Sequence, residues 1–518
     1  MLKKLNFLEQ FDYIILILLS FTINFYYSSL GVLPQDTFAY YDSAYRILNG
    51  SAPFRDYWTV SGPFIDYTQA FLFYIFNVSW KTYILNGSII NSIITVFFYH
   101  TLKSFSQKYI LNLFYAICFS ILANPSMGVP FTDHYSTFLS LMGIFSFLLA
   151  IKKKNKLFWF FVPIFLFLAF FSKQSPAAYL LLPILTGSLI YIYFYKNINF
   201  IKYFFLGTLC CVILLCFFFY LNKIDINQFF NQYILFPQTI AQDRLQNYKF
   251  NFDNLFFQFK FIYLFLIPLI AIALTQAKRK KPSNEKEIFI MNIIFILTSG
   301  LLIFHQIITK NFIFIFFLIP MLGSLLHLNF LNVKKYRVII SFFIISLTLF
   351  STIKYHYRFN ENRKMLNLEK VDLKLAVDST LLHSSLKGLK WLTREYPNNP
   401  SNEIRIIKES MMIIKKDKSK KMLLSGYLFF SSILDEDLNN PSRWPSLGDA
   451  SNPNLENEYF KFYEKFIKGL IKSKKIETLY STKDNHDDVF VKIFDKKCLK
   501  TKVINDFLTK HDIRDCKI

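Results

Sequence analysis

Apolar runs of about 20 residues, the length a helix needs to cross a bilayer, recur along this chain from Phe11 to Ile353 and then stop. A soluble core does not concentrate its apolar residues in that way. The composition agrees, with 53% of the 518 residues hydrophobic and 19% aromatic. The runs centre near Leu18, Ile93, Ile117, Phe145, Phe165, Ile184, Leu214, Leu266, Phe295, Phe317 and Leu347. They predict an all-α polytopic membrane domain of about 11 transmembrane helices over residues 1–353, with a first outer loop at 31–80. Residues 354–518 are expected to form a soluble extracytoplasmic domain, α/β or α+β.

Charge sets the orientation. A net charge of +24 at pH 7 in a soluble chain points to nucleic acid. Here the lysines flank apolar runs or lie in the tail, so they report orientation, and no nucleic-acid partner is expected. Lys3, Lys103, Lys152, Lys153, Lys154, Lys156, Lys196, Lys280 and Lys334 all fall on one set of short loops. The alternate loops are longer, yet carry only scattered cations: Arg46, Arg55, Lys81, Lys173, Lys223, Arg244, Lys249 and Lys310. That bias puts the amino terminus in the cytoplasm, and an odd number of spans puts the tail outside. The first run, 11–30, lacks a small-x-small cleavage site before Pro34 and reads as an uncleaved span.

Cys118, Cys210, Cys211 and Cys216 lie inside apolar runs, and no pairing of Cys and His has metal-site spacing. Neither a metal nor a cofactor is expected. Cys498 and Cys516 sit in the tail, where an oxidising compartment would allow them to pair. Spacing in the tail predicts helices over 381–396 and 456–474, strands over 421–430 and 488–494, helix or strand over 404–415, and a loop over 435–453.

Polar groups with possible chemistry gather on the outer loops, most densely at 34–63. Pro34 ends the first span, and 37–48 has helical spacing with Phe38, Tyr41, Tyr45 and Leu48 on one side. Such a helix is too short and polar to span, so it is expected to lie flat at the membrane interface. Asp36 before it reads either as its N-cap or as a general base held where a lipid-linked substrate presents its head group; the two are compatible. Asp42 and Arg46 are four apart, the spacing of an intrahelical ion pair. Arg55 is a candidate phosphate ligand, because its planar fork matches phosphate oxygens. Residues 64–76 read as a second aromatic helix along the surface.

One span followed by D-x-x-x-Y-Y-x-x-A-x-x-I-L-x-G-x-x-P-F-R-D from Asp36 to Asp56, then Gly62-Pro63, resembles the GT-C superfamily of membrane glycosyltransferases. The group it is most similar to holds the protein O-mannosyltransferases, the lipid A aminoarabinose transferases and bacterial lipopolysaccharide-core transferases. The resemblance is strongest over 36–63 and weaker through the remaining membrane part. It implies a GT-C-like fold whose first outer loop forms two juxtamembrane helices, with Asp36 as the base. Many relatives carry a second acidic residue beside that aspartate; here the neighbour is Thr37.

Asp133 and His134, in the second outer loop, are candidates for substrate hydroxyls, with Asp133 as a helix cap the plainer alternative. Lys173 breaks the charge bias at the outer end of a span. It joins Arg55 and Lys310 as candidates for the donor phosphate, while Tyr40, Arg244 and His305 are candidates for other substrate contacts. The expected activity is inverting transfer of a sugar from a polyprenyl-phosphate donor to an acceptor hydroxyl of a cell-envelope glycan, lipid or protein, at the outer face of a bacterial inner membrane. A lipid or glycan transporter would explain the helices, but predicts broken helices or ionisable groups at mid-membrane. A membrane-anchored sensor with the tail as its working part needs no polar cluster between the first two spans.

Overall fold

The computed structural model describes residues 7–105, 109–123, 128–249, 251–278, 283–309, 315–330, 337–445, 451–483, 489–495 and 497–517. They group into two compact units, each drawn from three stretches: 1–27, 87–215 and 247–365 in the first, and 28–86, 216–246 and 366–518 in the second. Among the described residues, eight helices are long and apolar enough to cross a membrane, and three shorter apolar helices, Tyr109–Leu122, Lys156–Phe170 and Leu318–Phe330, accompany them. Every expected run centre falls inside one of these helices except Phe317, which lies in the turn before Leu318–Phe330. The chain is thus a helical polytopic protein with a small amount of sheet near its carboxyl end.

In the first unit, Thr132–Lys153 is the innermost helix, buried from Thr132 to Ile151. It packs against Lys156–Phe170 and Gln174–Tyr195, and Ser283–Thr309 packs against the latter. Small residues make this close approach possible. Ser136, Ser140 and Gly143 recur at helical spacing, and a Cβ at Gly143 would sit 3.5 Å from the Val162 carbonyl oxygen.

The two ends of these helices differ in chemistry. At one end Lys152 pairs with Glu287 at 2.7 Å, Lys153 meets His100, and Lys103 lies over the Tyr13 ring. At the other end, Asn24 Nδ2 donates to Ser88 Oγ at 2.8 Å, and Tyr27 OH donates to Glu361. Asp133, Lys173 and His305 gather at that same end.

The second unit holds the sheet. Strands β1 (Val377–Asp378) and β2 (Lys390–Trp391) form a short antiparallel pair. Strands β3 (Lys421–Leu424), β4 (Thr478–Thr482), β5 (Lys500–Val503) and β6 (Leu508–Asp512) form a four-stranded sheet in the order β3-β4-β6-β5, parallel only between β3 and β4. The helix Phe460–Lys474 lays Tyr463, Ile467 and Ile471 onto this sheet in a core that also takes Trp58 and Phe236. Cys498 and Cys516 are joined by a disulfide.

The segment 31–80, expected to be the first outer loop, is sewn to the tail by backbone bonds inside this unit. Gly31 and Val32 donate to the Lys390 and Leu392 carbonyls at 3.0 and 2.9 Å. Trp58 N donates to Pro441 O at 2.8 Å, and Arg443 N to Trp58 O at 3.2 Å.

Several local expectations change. Residues 381–396 are not a helix but a chain of 3₁₀ turns leading into β2. Asp378 and His383 accept backbone N–H bonds that open each turn separately, and Gly388 at φ 101° breaks the run. Residues 489–493 are a helix rather than a strand. Pro400–Lys416 settles as helix. The strand expected over 421–430 ends at Leu424, and Phe430 opens a short helix. The interface helix at 37–48 divides into Pro34–Thr37 and Tyr41–Leu48, whereas Phe64–Phe76 forms as expected.

Candidate functional site

Pro34 at the first position of Pro34–Thr37 presets the turn, and the N-cap is Leu33. Asp36 therefore does not cap a helix. It sits in this single turn, half-buried, and its Oδ1 accepts a hydrogen bond from Trp444 Nε1 at 3.3 Å.

The other carboxylates of the first outer loop are engaged in burial. Asp66 is fully buried; both its oxygens accept from Arg443 Nη2 at 2.6 Å, and Oδ1 also accepts from Ser43 Oγ at 2.5 Å. Burial works against charge on the Arg443 guanidinium, but Asp66, Tyr40 and Tyr57 together outweigh it and hold the group charged, with its pKa above the ordinary arginine range. The same guanidinium lies 4.6 Å from the centre of the Tyr40 ring and 5.6 Å from that of Trp444, and it meets Ser61. One buried arginine from the tail thus anchors Tyr40, Ser61 and Asp66, and its chain neighbour reaches Asp36.

Arg46, also buried, pairs with Asp437 of the tail at 3.0 Å and donates to Asn440 O at 2.7 Å, so its ion-pair partner is a tail residue instead of Asp42. Burial pushes the Asp42 carboxyl up, with Arg46 and Ser431 pulling the other way. Asp56 accepts from Ala52 N at 2.9 Å and from Arg55 Nε at 2.8 Å. Arg55 donates in addition to Asn222 O and Gly50 O, at 2.7 and 2.6 Å. In this structure Arg55 clamps its own loop.

The first unit holds a second constellation. Thr132–Lys153 begins at Phe131 without a side-chain cap, so Asp133 is not a cap either. Its Oδ2 pairs with Lys173 Nζ at 2.8 Å, and its Oδ1 with His305 Nε2 at 3.0 Å. His305 Nδ1 lies 3.1 Å from Ser175 Oγ. Asp133 and His305 are buried, while Lys173 keeps a quarter of its side chain exposed. His134 is buried between the Phe131 and Phe138 rings.

The candidates named from sequence therefore divide. Asp36, Tyr40, Arg55 and Arg244 belong to the second unit, and Asp133, His134, Lys173 and His305 to the first. Asp133, Lys173 and His305 form one cluster, and Asp36 and Tyr40 share the Arg443–Trp444 pair. Arg244 stands half-buried in Phe236–Gln246, with no hydrogen-bond or ion-pair partner among the described residues. Lys310 lies outside the described residues. Asp66, Arg443 and Trp444 had no sequence spacing to reveal them; the available signal was an Arg-Trp pair between Pro441 and Pro445 in an otherwise small, polar loop. No family model and no curated protein matches the chain.

Proposed function

We propose that the chain is an inverting glycosyltransferase of the GT-C kind, moving a sugar from a polyprenyl-phosphate donor to an acceptor hydroxyl at the outer face of a membrane. One observation carries this reading. Among Asp36, Asp42, Asp56 and Asp66 in the first outer loop, Asp36 alone keeps appreciable solvent access, while the other three are buried in structural bonds. A general base needs that access.

Asp36 takes the proton from the acceptor hydroxyl as its oxygen attacks the anomeric carbon opposite the phosphate. The bond from that carbon to the phosphate oxygen breaks, the polyprenyl phosphate leaves with the electron pair, and the anomeric configuration inverts. Charge builds on the leaving phosphate, so cations aimed at it matter at least as much as the base. Arg244, in the same unit as Asp36 and with no hydrogen-bond or ion-pair partner among the described residues, is the candidate with capacity left.

Two features support the orientation. The lysine-rich helix ends and the Asp133 end are separate in the first unit, as the positive-inside bias requires. The Cys498–Cys516 disulfide belongs in an oxidising compartment. If the three shorter apolar helices also cross, they bring the eight candidate spans among the described residues to eleven, an odd number that would carry the tail to the outer side. Those helices are 14, 15 and 13 residues long, roughly 20–23 Å at 1.5 Å per residue, so they cross only where neighbouring helices or a thinned bilayer cover the shortfall. The acceptor class is a cell-envelope glycan, lipid or protein.

The test is transfer in vitro from radiolabelled polyprenyl-phosphate sugars. Asp36→Asn is expected to lower the rate by roughly 10²–10⁴-fold with donor binding kept. Full activity in that variant would remove the base assignment.

A further inference from the structure

A cavity of about 780 Å³ opens at the lysine-rich end of the first unit, where Thr132–Lys153 turns into Lys156–Phe170 beside the start of Phe200–Asn222. The turn is tight: Lys154 adopts φ 51°, and the Asn155 side chain accepts from Leu157 N at 2.9 Å. It therefore presents Lys153, Lys154 and Lys156 to one hollow.

Of the four lysines at 152–156, Lys152 alone has a carboxylate partner, Glu287. Lys153 meets a ring nitrogen of His100, Lys156 lies 5.5 Å from the centre of the Tyr203 ring, and Lys154 has no hydrogen-bond or ion-pair partner among the described residues. Three ammonium groups thus line one hollow with no carboxylate partner among the described residues, an arrangement that repels itself until an anion arrives.

Apart from Asn155, the rest of the lining is apolar or aromatic. Leu157, 63% exposed, and Phe160 descend from the amines along the membrane face of the helix, and Tyr203 stands at the rim. Cations above, aliphatic and aromatic surface below and an amphipathic ring between them match a phosphate head with a hydrocarbon tail. A free phosphate would leave the apolar half of the hollow uncovered.

We infer that this cavity is a binding site for an anionic phospholipid, its headgroup phosphate on Lys153, Lys154 and Lys156 and an acyl chain along Leu157 and Phe160. The site is independent of the transfer reaction. It rests only on these helices lying in a bilayer.

Full-length chain in neutral detergent, titrated with phosphatidylglycerol and read by native mass spectrometry, provides the test. Phosphatidylglycerol should bind at least about tenfold tighter than phosphatidylcholine, and the triple variant K153Q/K154Q/K156Q should lose about tenfold or more of that affinity. Lys154→Gln by itself removes an exposed side chain without a partner among the described residues, so it leaves folding intact, and should still weaken binding by roughly fivefold. K196Q/K202Q, which removes two cations beyond the cavity lining, should change binding by less than about twofold. Equal affinity for the two lipids, an unchanged triple variant, or an equal loss in the control pair would each overturn the site. Displacement of phosphatidylglycerol by equimolar inorganic phosphate would do so too, because it would assign the hollow to a free anion.

Discussion

Asp36 and Arg443 do opposite work with similar materials. Arg443 and Asp66 are buried together, and such a pair is costly to break from one side because the remaining charge keeps its desolvation penalty. Arg443→Ala is expected to destabilise the second unit by about 3–5 kcal/mol, read by chemical denaturation, whereas replacing both partners with apolar residues should cost far less. Under the proposed function, Trp444 would act through Asp36, to which its Nε1 donates. Removing its N–H with Trp444→Phe should lower kcat about tenfold, the loss of one hydrogen bond to a charged group, with KM nearly unchanged; a purely structural Trp444 would move neither or both. Asp417 supplies the acid response of the tail. Burial pushes its carboxyl up, but Lys510, Tyr480 and Ser419, bonded to it at 2.7, 2.6 and 2.7 Å, outweigh burial and hold it well below the usual carboxylate range. A depressed native pKa gives stability that is present above the unfolded value, near 3.9, and is lost as pH falls below it. Asp417→Asn should therefore lower the unfolding midpoint at pH 7, and the gap to the parent chain should narrow below about pH 4.

Among the elements, Phe200–Asn222 and Lys156–Phe170 meet at Gly207, where an added Cβ would run into the Phe160 carbonyl oxygen and crowd Pro163 at 2.6 Å. Backbone cannot step aside as a side-chain tip can. Gly207→Ala is expected to cost about 1–3 kcal/mol and to lower the thermal midpoint of the detergent-solubilised chain, whereas a midpoint equal to the parent's would show that these helices do not approach so closely. How well elements read from sequence depended on their surroundings. Phe460–Lys474 was legible because a single apolar face dictates it, and Phe64–Phe76 because apolar and aromatic residues fill both its buried and its exposed sides. Residues 381–396 misled because Leu381, Leu382, Leu386 and Leu389 keep helical spacing, although Asp378, Ser379 and His383 offer the backbone other partners. Strand β5 was invisible because all four of its residues are exposed, so no alternation marks it. Arg443 was out of reach for another reason: its partner Asp66 lies 377 residues away in the chain, and nothing local announces a pairing of that span.

For the whole molecule, hydropathy announced a membrane protein and placed nearly every apolar helix, since lipid exposure leaves the backbone few alternatives. It did not announce that the first outer loop would fold into one compact unit with the tail, because backbone bonds such as those joining Trp58 to Pro441 and Arg443 carry no mark in composition. The tail loop that supplies Arg443 and Trp444 makes the second unit the seat of the proposed chemistry. The most direct measurement uses sealed right-side-out vesicles, given a water-dispersible short-chain polyprenyl-phosphate sugar and an acceptor from outside only. Glycosyl transfer from the parent chain, lost with Asp36→Asn, is the expected result; transfer confined to inverted vesicles, or undiminished in the variant, would contradict an outer-face carboxylate that does the chemistry.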